Sequence, residues 1–451
     1  MPRIVVRLVA VLAPLLLLAA ACSDDDGGGG AEGSTSSSPA GDGAEEIDYE
    51  ALGLWDDGPC DAAKPPLKIG LMTVFESPVV SLEDQAIALE VAAEAFNERG
   101  GANGGCIEVH TCDDGANVDQ AVACVREIDD ADVVATVNDQ GTAGQQEVSD
   151  AMAELGIPRV AGNVTSDDWD DQNAYPLDPS GTGGTFMHPG ALLEAGVKKV
   201  GIIRVDLPQA AQLPGLIGDL YEDDGMTIVS DAAVPAGTTD FNQFILGAED
   251  KGAEGVSLSL GEQEAVQVLR AGQQLGSELQ IALGTGTFSH KAAAELGDFA
   301  ENMVFDNAFP PATVDVPVYE ALRADLAGSG EELLQPATLR SSPMRSWIGL
   351  YALLRMIRDA DMTEFTRDGI TAMLDEAEDV PMLDIFGGED WTPDPDHRGL
   401  FKRHGVSHYA AYRFDPSAPA PDGLEGNFVE LAEFSFDERL CGSIFGAPEP
   451  C

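Results

Sequence analysis

Residues that could contact a small polar molecule stand directly after several short apolar runs of this 451-residue chain. They are Phe75, Glu76, Thr142, Ala143, Asn163, Thr165, Asp206, Ser259, Glu262 and Gly286. Hydroxyl groups and free backbone N–H groups at the start of a helix suit an anionic group such as a carboxylate. The alternative is that hydroxyls such as those of Thr142 and Ser259 only cap helices. Both interpretations stay open for each residue taken singly.

The elements that would position these residues alternate between strands and helices. Leu67 to Thr73 has the length of a strand, and Ser81 to Arg99 carries apolar residues at helical spacing until Gly100 and Gly101 end it. The pattern continues with strands at 106–112, 132–137 and 157–161 and helices at 117–129 and 142–155. This alternation predicts a parallel sheet with right-handed crossovers.

A second series of the same kind begins at Lys198, after a polar stretch over 163–184. Its predicted strands are 198–205, 226–234, 255–260, 279–283 and 303–308, with strand-like pieces at 407–414 and 428–436. Its predicted helices are 208–223, 240–251, 262–275, 316–326, 343–361 and 363–377. We therefore predict two α/β lobes, 65–177 plus about 308–390 and about 178–307 plus 391–451. Ligands bind at the carboxyl ends of strands in such sheets, so a cleft between the lobes is the expected site.

The first 21 residues have the features of an export signal, with Arg3 and Arg7 before the apolar run Leu8 to Leu18. The small residues before Cys22 resemble a bacterial lipobox, which implies that Cys22 is lipidated and holds the protein to the outer face of the cell membrane. A secreted form without lipid is the alternative. Residues 22–64 are predicted to be a disordered, acidic, Gly/Ser-rich tether, because they offer little apolar surface to bury.

The chain is very acidic, with 79 Asp and Glu against 24 Lys and Arg and a formal net charge of -55. Binding to a phosphate backbone requires clustered Lys and Arg, so nucleic acid is excluded as a partner. A surface rich in carboxylates indicates adaptation to a salty medium, with an ordinary acidic proteome as the alternative.

Seven cysteines, less Cys22, leave six, which predict three disulfides in an exported chain. About 15 connectivities are possible for six cysteines. The pairing Cys112–Cys124, Cys441–Cys451 and Cys60–Cys106 is the one we favour. A zinc site is disfavoured, because no Cys-x-x-Cys pair is present.

Several short motifs occur in a fixed order along the chain. They are Phe96-Asn97-Glu98-Arg99-Gly100-Gly101, Cys112-Asp113-Asp114 with Cys124, Gly156-Ile157-Pro158, Lys199-Val200-Gly201-Ile202-Ile203 and Asp240-Phe241. In this order they resemble the solute-binding proteins of branched-chain amino acid ABC importers, which have the type I periplasmic-binding-protein fold. The resemblance covers about residues 66–380.

The resemblance implies two Rossmann-like lobes, joined by a hinge, that close on a ligand in the cleft between them. It also implies a monomer that lacks catalysis, cofactor and metal and delivers its ligand to a membrane permease with its ATPase. Thr142, Asn163 and Thr165 would contact the ligand, and Phe75 would lie over it. The family's acid for a ligand ammonium would fall at Gly286, which has no side chain, so Glu262 or Glu76 would substitute.

The second lobe departs from the family pattern, because no Tyr-Gly pair follows Asp206. This departure extends the expected ligands from amino acids to amides and short acids.

Two other functions are weighed against this one. A ligand-sensing receptor subunit of the same fold is the main alternative, and an exported hydrolase comes third, since no G-x-S-x-G elbow or P-loop is present. Metal binding by His397, His404 and His408, or Ca²⁺ binding by the acidic run at 167–171, is disfavoured against solvated surface loops.

Overall fold

The computed structural model describes residues 47–75, 77, 81–140, 144–162, 171, 173–206, 210–284, 288–393 and 405–441. The first predicted strand is confirmed as β1 (Leu67–Thr73), in which every residue except Lys68 is buried. It lies inside a parallel five-stranded sheet of order β2-β1-β3-β4-β5. The other strands are β2 (Ile107–Asp113), β3 (Ala135–Val137), β4 (Arg159–Val160) and β5 (Ala174–Tyr175). A strand with both faces covered requires a near-continuous apolar run, which β1 provides.

The second sheet has seven strands in the order β12-β11-β10-β9-β8-β6-β7. They are β6 (Lys199–Val205), β7 (Thr227–Val234), β8 (Gly255–Ser259), β9 (Gln280–Gly284), β10 (Met303–Asn307), β11 (His408–Pro419) and β12 (Glu425–Ser435). The first five are parallel, and β11 and β12 extend the sheet as an antiparallel pair. The chain thus has the two predicted parallel-sheet lobes.

The helices of the first lobe include α1 (Glu83–Glu98), α2 (Val118–Asp130), α3 (Gln145–Leu155), α9 (Tyr319–Ala327), α10 (Ser341–Asp359) and α11 (Arg367–Glu376). Those that accompany the second sheet are α4 (Ser180–Glu194), α5 (Leu213–Asp223), α6 (Asn242–Asp250), α7 (Glu262–Leu275), α8 (His290–Glu295) and α12 (Phe436–Leu440). Among the described residues, no helix is long and apolar enough to cross a membrane.

Helix α4 was not predicted, since its first half lies in the stretch interpreted as polar. Its sequence contains several glycines and Pro189, which are poor helix formers. Burial against the second sheet overrides this low propensity, because Phe186, Met187, Ala191 and Leu192 are fully buried.

Residues 47–64, here called the strap, pack on the first lobe. Leu54 is fully buried, and the ring of Trp55 lies 5.3 Å from that of Phe96 and is stacked 6.2 Å from that of Tyr351. The prediction of a disordered tether over 22–64 is therefore wrong for residues 47–64, because apolar side chains there find a partner surface. Residues 22–46 lie outside the described residues.

Two of the three favoured disulfides are confirmed. Cys60 joins the strap to Cys106 with Cα atoms 5.1 Å apart, and Cys112 joins the end of β2 to Cys124 in α2 at 5.7 Å. Cys441 is also disulfide-bonded. Its favoured partner Cys451 lies outside the described residues, as does Cys22.

Three chain segments meet where the lobes join. The indole Nε1 of Trp391 donates to the carbonyl oxygen of Pro176 at 2.9 Å, and the backbone N–H of Val406 donates to the carbonyl oxygen of Leu177 at 2.8 Å. Arg345 of α10 forms a buried ion pair with Asp178 at 2.7 Å. These contacts tie the three segments together.

Candidate functional site

The carboxyl edge of the first sheet carries a chain of neutral side-chain hydrogen bonds. The hydroxyl of Thr73, at the end of β1, donates to Gln85 Oε1 at 3.0 Å. Gln85 Nε2, from α1, donates to Gln140 Oε1 at 2.9 Å, in the segment that follows β3. Each amide is thereby oriented by a neighbour, so the edge presents fixed hydrogen-bonding groups rather than freely rotating ones.

Charged residues at the same edge compensate one another. Arg159 Nε lies 2.7 Å from Asp139 Oδ2, and Arg159 Nη1 lies 3.3 Å from Asp171 Oδ2. The Ser149 hydroxyl donates to the same Asp171 oxygen at 2.6 Å. Arg159 is thus paired with two carboxylates, so its guanidinium offers no unpaired positive charge to a ligand.

Gln145 is the functional candidate that sequence reasoning missed. It begins α3 directly after Gly144, whose left-handed φ of 68° turns the chain into the helix. Gln145 is 7% exposed, yet among the residues that the structure describes neither of its side-chain amide atoms has a hydrogen-bond partner. A buried amide without partners is costly, so this position indicates a missing partner. Its place directly after the predicted ligand loop was the only sequence signal.

Phe75 lies in a segment fixed by hydrogen bonds at the end of β1. Its backbone N–H donates to Asp113 Oδ1 at 3.0 Å, and its carbonyl accepts from the Ser81 hydroxyl at 2.7 Å. The ring is partly buried against the first-lobe core. These bonds hold Phe75 at the carboxyl edge of the first sheet.

The carboxyl edge of the second sheet holds three of the predicted residues. Asp206 follows β6 and is exposed, Ser259 ends β8, and Glu262 begins α7. The Ser259 hydroxyl and Oε2 of Glu264, in the first turn of α7, are buried and have no hydrogen-bond partner in the part of the chain that the structure describes. A role only in helix capping is wrong for Ser259, since α7 has no side-chain cap and begins after Gly261.

Arg204, near the end of β6, is neutralised in place. Its Nε and Nη2 atoms donate to the two carboxylate oxygens of Asp231, each at 2.8 Å. This bidentate pair removes a strong candidate for binding a ligand carboxylate.

Six predicted ligand contacts lie outside the described residues: Glu76, Thr142, Ala143, Asn163, Thr165 and Gly286. Their roles stay predictions. His397, His404 and residues 167–170 of the acidic run also lie outside the described residues. The loops that contain the six follow β1, β3, β4 and β9, all at strand ends.

The structure does bring together a Ser, a His and an Asp. His188 Nδ1 lies 2.7 Å from the hydroxyl oxygen of Ser257, and His188 Nε2 lies 3.4 Å from Asp306 Oδ2. All three side chains are buried, with Ser257 fully so. A substrate carbonyl cannot reach Ser257, so this cluster does not provide the nucleophile that a hydrolase requires.

A family model described as periplasmic binding protein matches residues 66–403. The chain belongs to this family. The match confirms the resemblance seen in the sequence motifs, and with the two sheets it confirms the predicted fold class, two parallel-sheet lobes joined by a hinge with a ligand cleft between them. Members of the family are solute-binding proteins and not enzymes as a class.

Several solved structures share the fold of this periplasmic binding protein. A solute-binding protein of an ABC transporter from R. palustris, in complex with 4-hydroxybenzoate, is 18% identical, with a TM-score of 0.66 over 82% of this chain and 97% of that one. A fatty acid ABC transporter substrate-binding protein from Thermomonospora curvata is 17% identical, with a TM-score of 0.66 over 84% and 95%. An ABC transporter substrate-binding protein from Sphaerobacter thermophilus is 16% identical, with a TM-score of 0.64 over 82% and 98%. None of the curated protein sequences matches significantly.

Proposed function

We propose that this protein is the extracytoplasmic solute-binding component of an ABC importer. It captures a small polar organic ligand, an amino acid, an amide or a short acid, between its two lobes and delivers it to a membrane permease. A ligand that binds the closed form more tightly than the open form increases the population of the closed form. The lipid on Cys22 holds the monomer at the outer face of the membrane.

The observation that carries this proposal is the pair of unsatisfied polar groups at the two strand-end edges. The Gln145 amide and the Ser259 hydroxyl, one in each lobe, are buried and have no hydrogen-bond partner among the described residues. Most buried polar groups in folded proteins are paired, and of the unpaired ones described in this chain, these two lie at the strand ends where a ligand is expected. A ligand held between the edges supplies the missing hydrogen bonds to both.

The charges around these two groups restrict how a ligand carboxylate or ammonium can be bound. Arg159 and Arg204 are neutralised by Asp139 and Asp231, so a ligand carboxylate relies on neutral donors and helix-start N–H groups. The buried, unpartnered Oε2 of Glu264 is suited to a ligand ammonium, the role that Gly286 cannot fill. Glu264 thus joins Glu262 and Glu76 as a candidate acid.

The test is ligand screening by thermal shift and calorimetry on the mature chain with Cys22→Ser. The panel contains leucine, isoleucine and valine, their amides, short carboxylic acids, urea, 4-hydroxybenzoate and a fatty acid. The last two are included because proteins of the same fold bind or transport them. A ligand specific for the folded state raises the melting temperature by mass action.

For the ligand so found, we expect Gln145→Leu and Ser259→Ala each to weaken binding about tenfold, the loss of one hydrogen bond of about 1.4 kcal/mol. Gln263→Leu, an exposed position on α7, is the matched control and should leave the affinity unchanged. No thermal shift with any compound, or equal loss in the control, would contradict the proposal.

A further inference from the structure

A groove of about 540 Å³ lies on the first lobe between the C-terminal half of α10, α11 and the segment after α11. It is separate from the proposed ligand site. The amide of Asn103, in the loop before β2, donates to the carbonyl oxygens of Ile357 and Met362, both at 2.9 Å. This end of α10 therefore lies at the amino edge of the first sheet, opposite the strand ends.

The groove has an apolar floor made largely of methionine. Met356 and Met373 are 4% and 9% exposed, and Met362 and Val380 complete the floor. The small residue Ala372 on α11 leaves the groove open to solvent. Methionine side chains are flexible and polarisable, and surfaces rich in them accept apolar helix faces of varied shape.

The rim of the groove is acidic. Asp359, Glu376, Glu378 and Asp379 line it and are exposed. Asp359 is paired with Arg355 at 2.9 Å. Within the part of the chain that the structure describes, the other three carboxylates form no ion pair. The rim therefore carries a negative charge that a partner can neutralise.

We infer that this groove binds a basic amphipathic helix of a partner protein, with its apolar face on the methionines and its Lys or Arg side chains on the acidic rim. The charge complementarity selects this occupant. A second copy of the chain, with a net charge of -55, is repelled, and so is an anionic lipid surface. The inference does not depend on the ligand proposed above.

The experiment measures fluorescence anisotropy of a labelled 18-residue Leu/Lys peptide, helical and amphipathic, with the mature chain at about 150 mM NaCl. Ala372→Trp fills the groove without changing charge and should weaken binding at least tenfold. Glu376→Lys with Glu378→Lys should do the same. The matched charge control is Asp298→Lys with Glu301→Lys, an exposed acidic pair in the second lobe, which should change affinity less than twofold.

A Ser/Lys peptide of equal charge separates groove binding from general attraction to an acidic protein, and it should bind at least tenfold more weakly. Circular-dichroism melting of each variant verifies that it is folded. The inference is overturned if the Leu/Lys peptide does not bind, if it binds Ala372→Trp as it binds the unaltered chain, or if the control pair weakens it equally. It is also overturned if an apolar dye occupies the groove and the peptide does not displace it, which indicates a small-molecule pocket.

Discussion

Both lobes bury titratable side chains, but they satisfy their hydrogen bonds and charges differently. In the first lobe the guanidinium of Arg99 pairs with both carboxylate oxygens of Asp325 at 2.8 and 2.7 Å. Trp347 Nε1 donates to the same carboxylate at 2.8 Å, and the Tyr49 hydroxyl reaches it from the strap at 3.3 Å. This lobe therefore gives its buried Asp325 carboxylate several donors, including a bidentate arginine.

The second lobe buries His188, Ser257 and Asp306 together, and neither carboxylate oxygen of Asp306 accepts a hydrogen bond from any residue that the structure describes. Burial raises the pKa of Asp306 well above its usual value, although Arg439 acts in the opposite direction. Burial also lowers the pKa of His188 to about 3. Burial therefore favours the neutral forms of His188 and Asp306, whereas Arg99 and Asp325 form a bidentate ion pair. We therefore expect the free energy of unfolding to respond most to substitution in the first lobe and to pH in the second lobe.

The largest effect should come from breaking the first-lobe pair. Arg99→Met leaves the Asp325 carboxylate buried without its counter-charge, which should lower the free energy of unfolding by about 3–5 kcal/mol. Urea denaturation measures this change. The same substitution at Arg270, whose pair with Glu295 is about half exposed, should change it by less than about 1 kcal/mol. Equal losses at both sites would show that burial of the pair is not decisive.

The second-largest loss of stability should come from releasing the strap, because its Tyr49 contacts the Asp325 carboxylate. Cys60→Ser with Cys106→Ser removes a disulfide of sequence separation 46, with an expected loss of about 2–4 kcal/mol. Cys112→Ser with Cys124→Ser removes one of separation 12 and should destabilise less. Limited proteolysis should then cut the first variant, but not the second, within residues 47–64. Protection of the strap in both variants would show that Trp55 packing alone holds it.

Particular elements show how far the sequence predicts this fold. The apolar run of β1 and the bounds of α7 are confirmed to the residue, because hydrophobic periodicity and a terminal glycine are local signals. Helix α4 and the strap were missed, since both depend on burial against distant surfaces. Trp55 follows a long polar, Gly/Ser-rich stretch, so composition alone does not separate the strap from the residues before it.

The candidate site is less predictable than the fold for a related reason. Its edges follow from strand ends, which the sequence places well. Other properties of the site depend on residues that the tertiary structure brings together. Examples are the pairing of Arg204 with Asp231 and the lack of a partner for the Gln145 amide among the described residues. Arg99 and Asp325 are 226 residues apart, and no local pattern pairs them.

Acid should destabilise the second lobe through His188. The pKa of His188 is about 3 in the folded chain, below the ordinary value of 6.5. Between these two values the unfolded chain binds a proton at this histidine and the folded chain does not. The stabilising effect of neutral His188 is present above pH 6.5 and is lost as the pH falls toward 3, by about 1.4 kcal/mol per pH unit. His188→Gln removes this dependence. Urea denaturation of both chains between pH 6.5 and 3 measures the difference between their free energies of unfolding. We expect this difference to shrink by about 1.4 kcal/mol for each pH unit as the pH falls. A difference that stays constant would contradict the prediction.

The smallest effect at acid pH should come from Asp306→Asn, which replaces a neutral carboxyl by a neutral group of the same shape. Near pH 4 we expect a change within about 1 kcal/mol. The sign of the pH dependence is opposite to that of His188, because the folded pKa of Asp306 is raised. Its stabilising effect is complete below its ordinary pKa of 3.8 and is lost as the pH rises through the folded value.

The Asn variant does not titrate, so it should become progressively the more stable of the two chains as the pH rises from 4. Urea denaturation at pH 4, 6 and 8 measures this crossover. The contributions of His188 and Asp306 oppose each other between about pH 4 and 6.5, so the unaltered chain should show a flatter pH dependence there than either variant. If Asp306→Asn is instead strongly destabilised at every pH, the carboxyl is ionised and paired, and the second lobe satisfies its buried acid as the first lobe does.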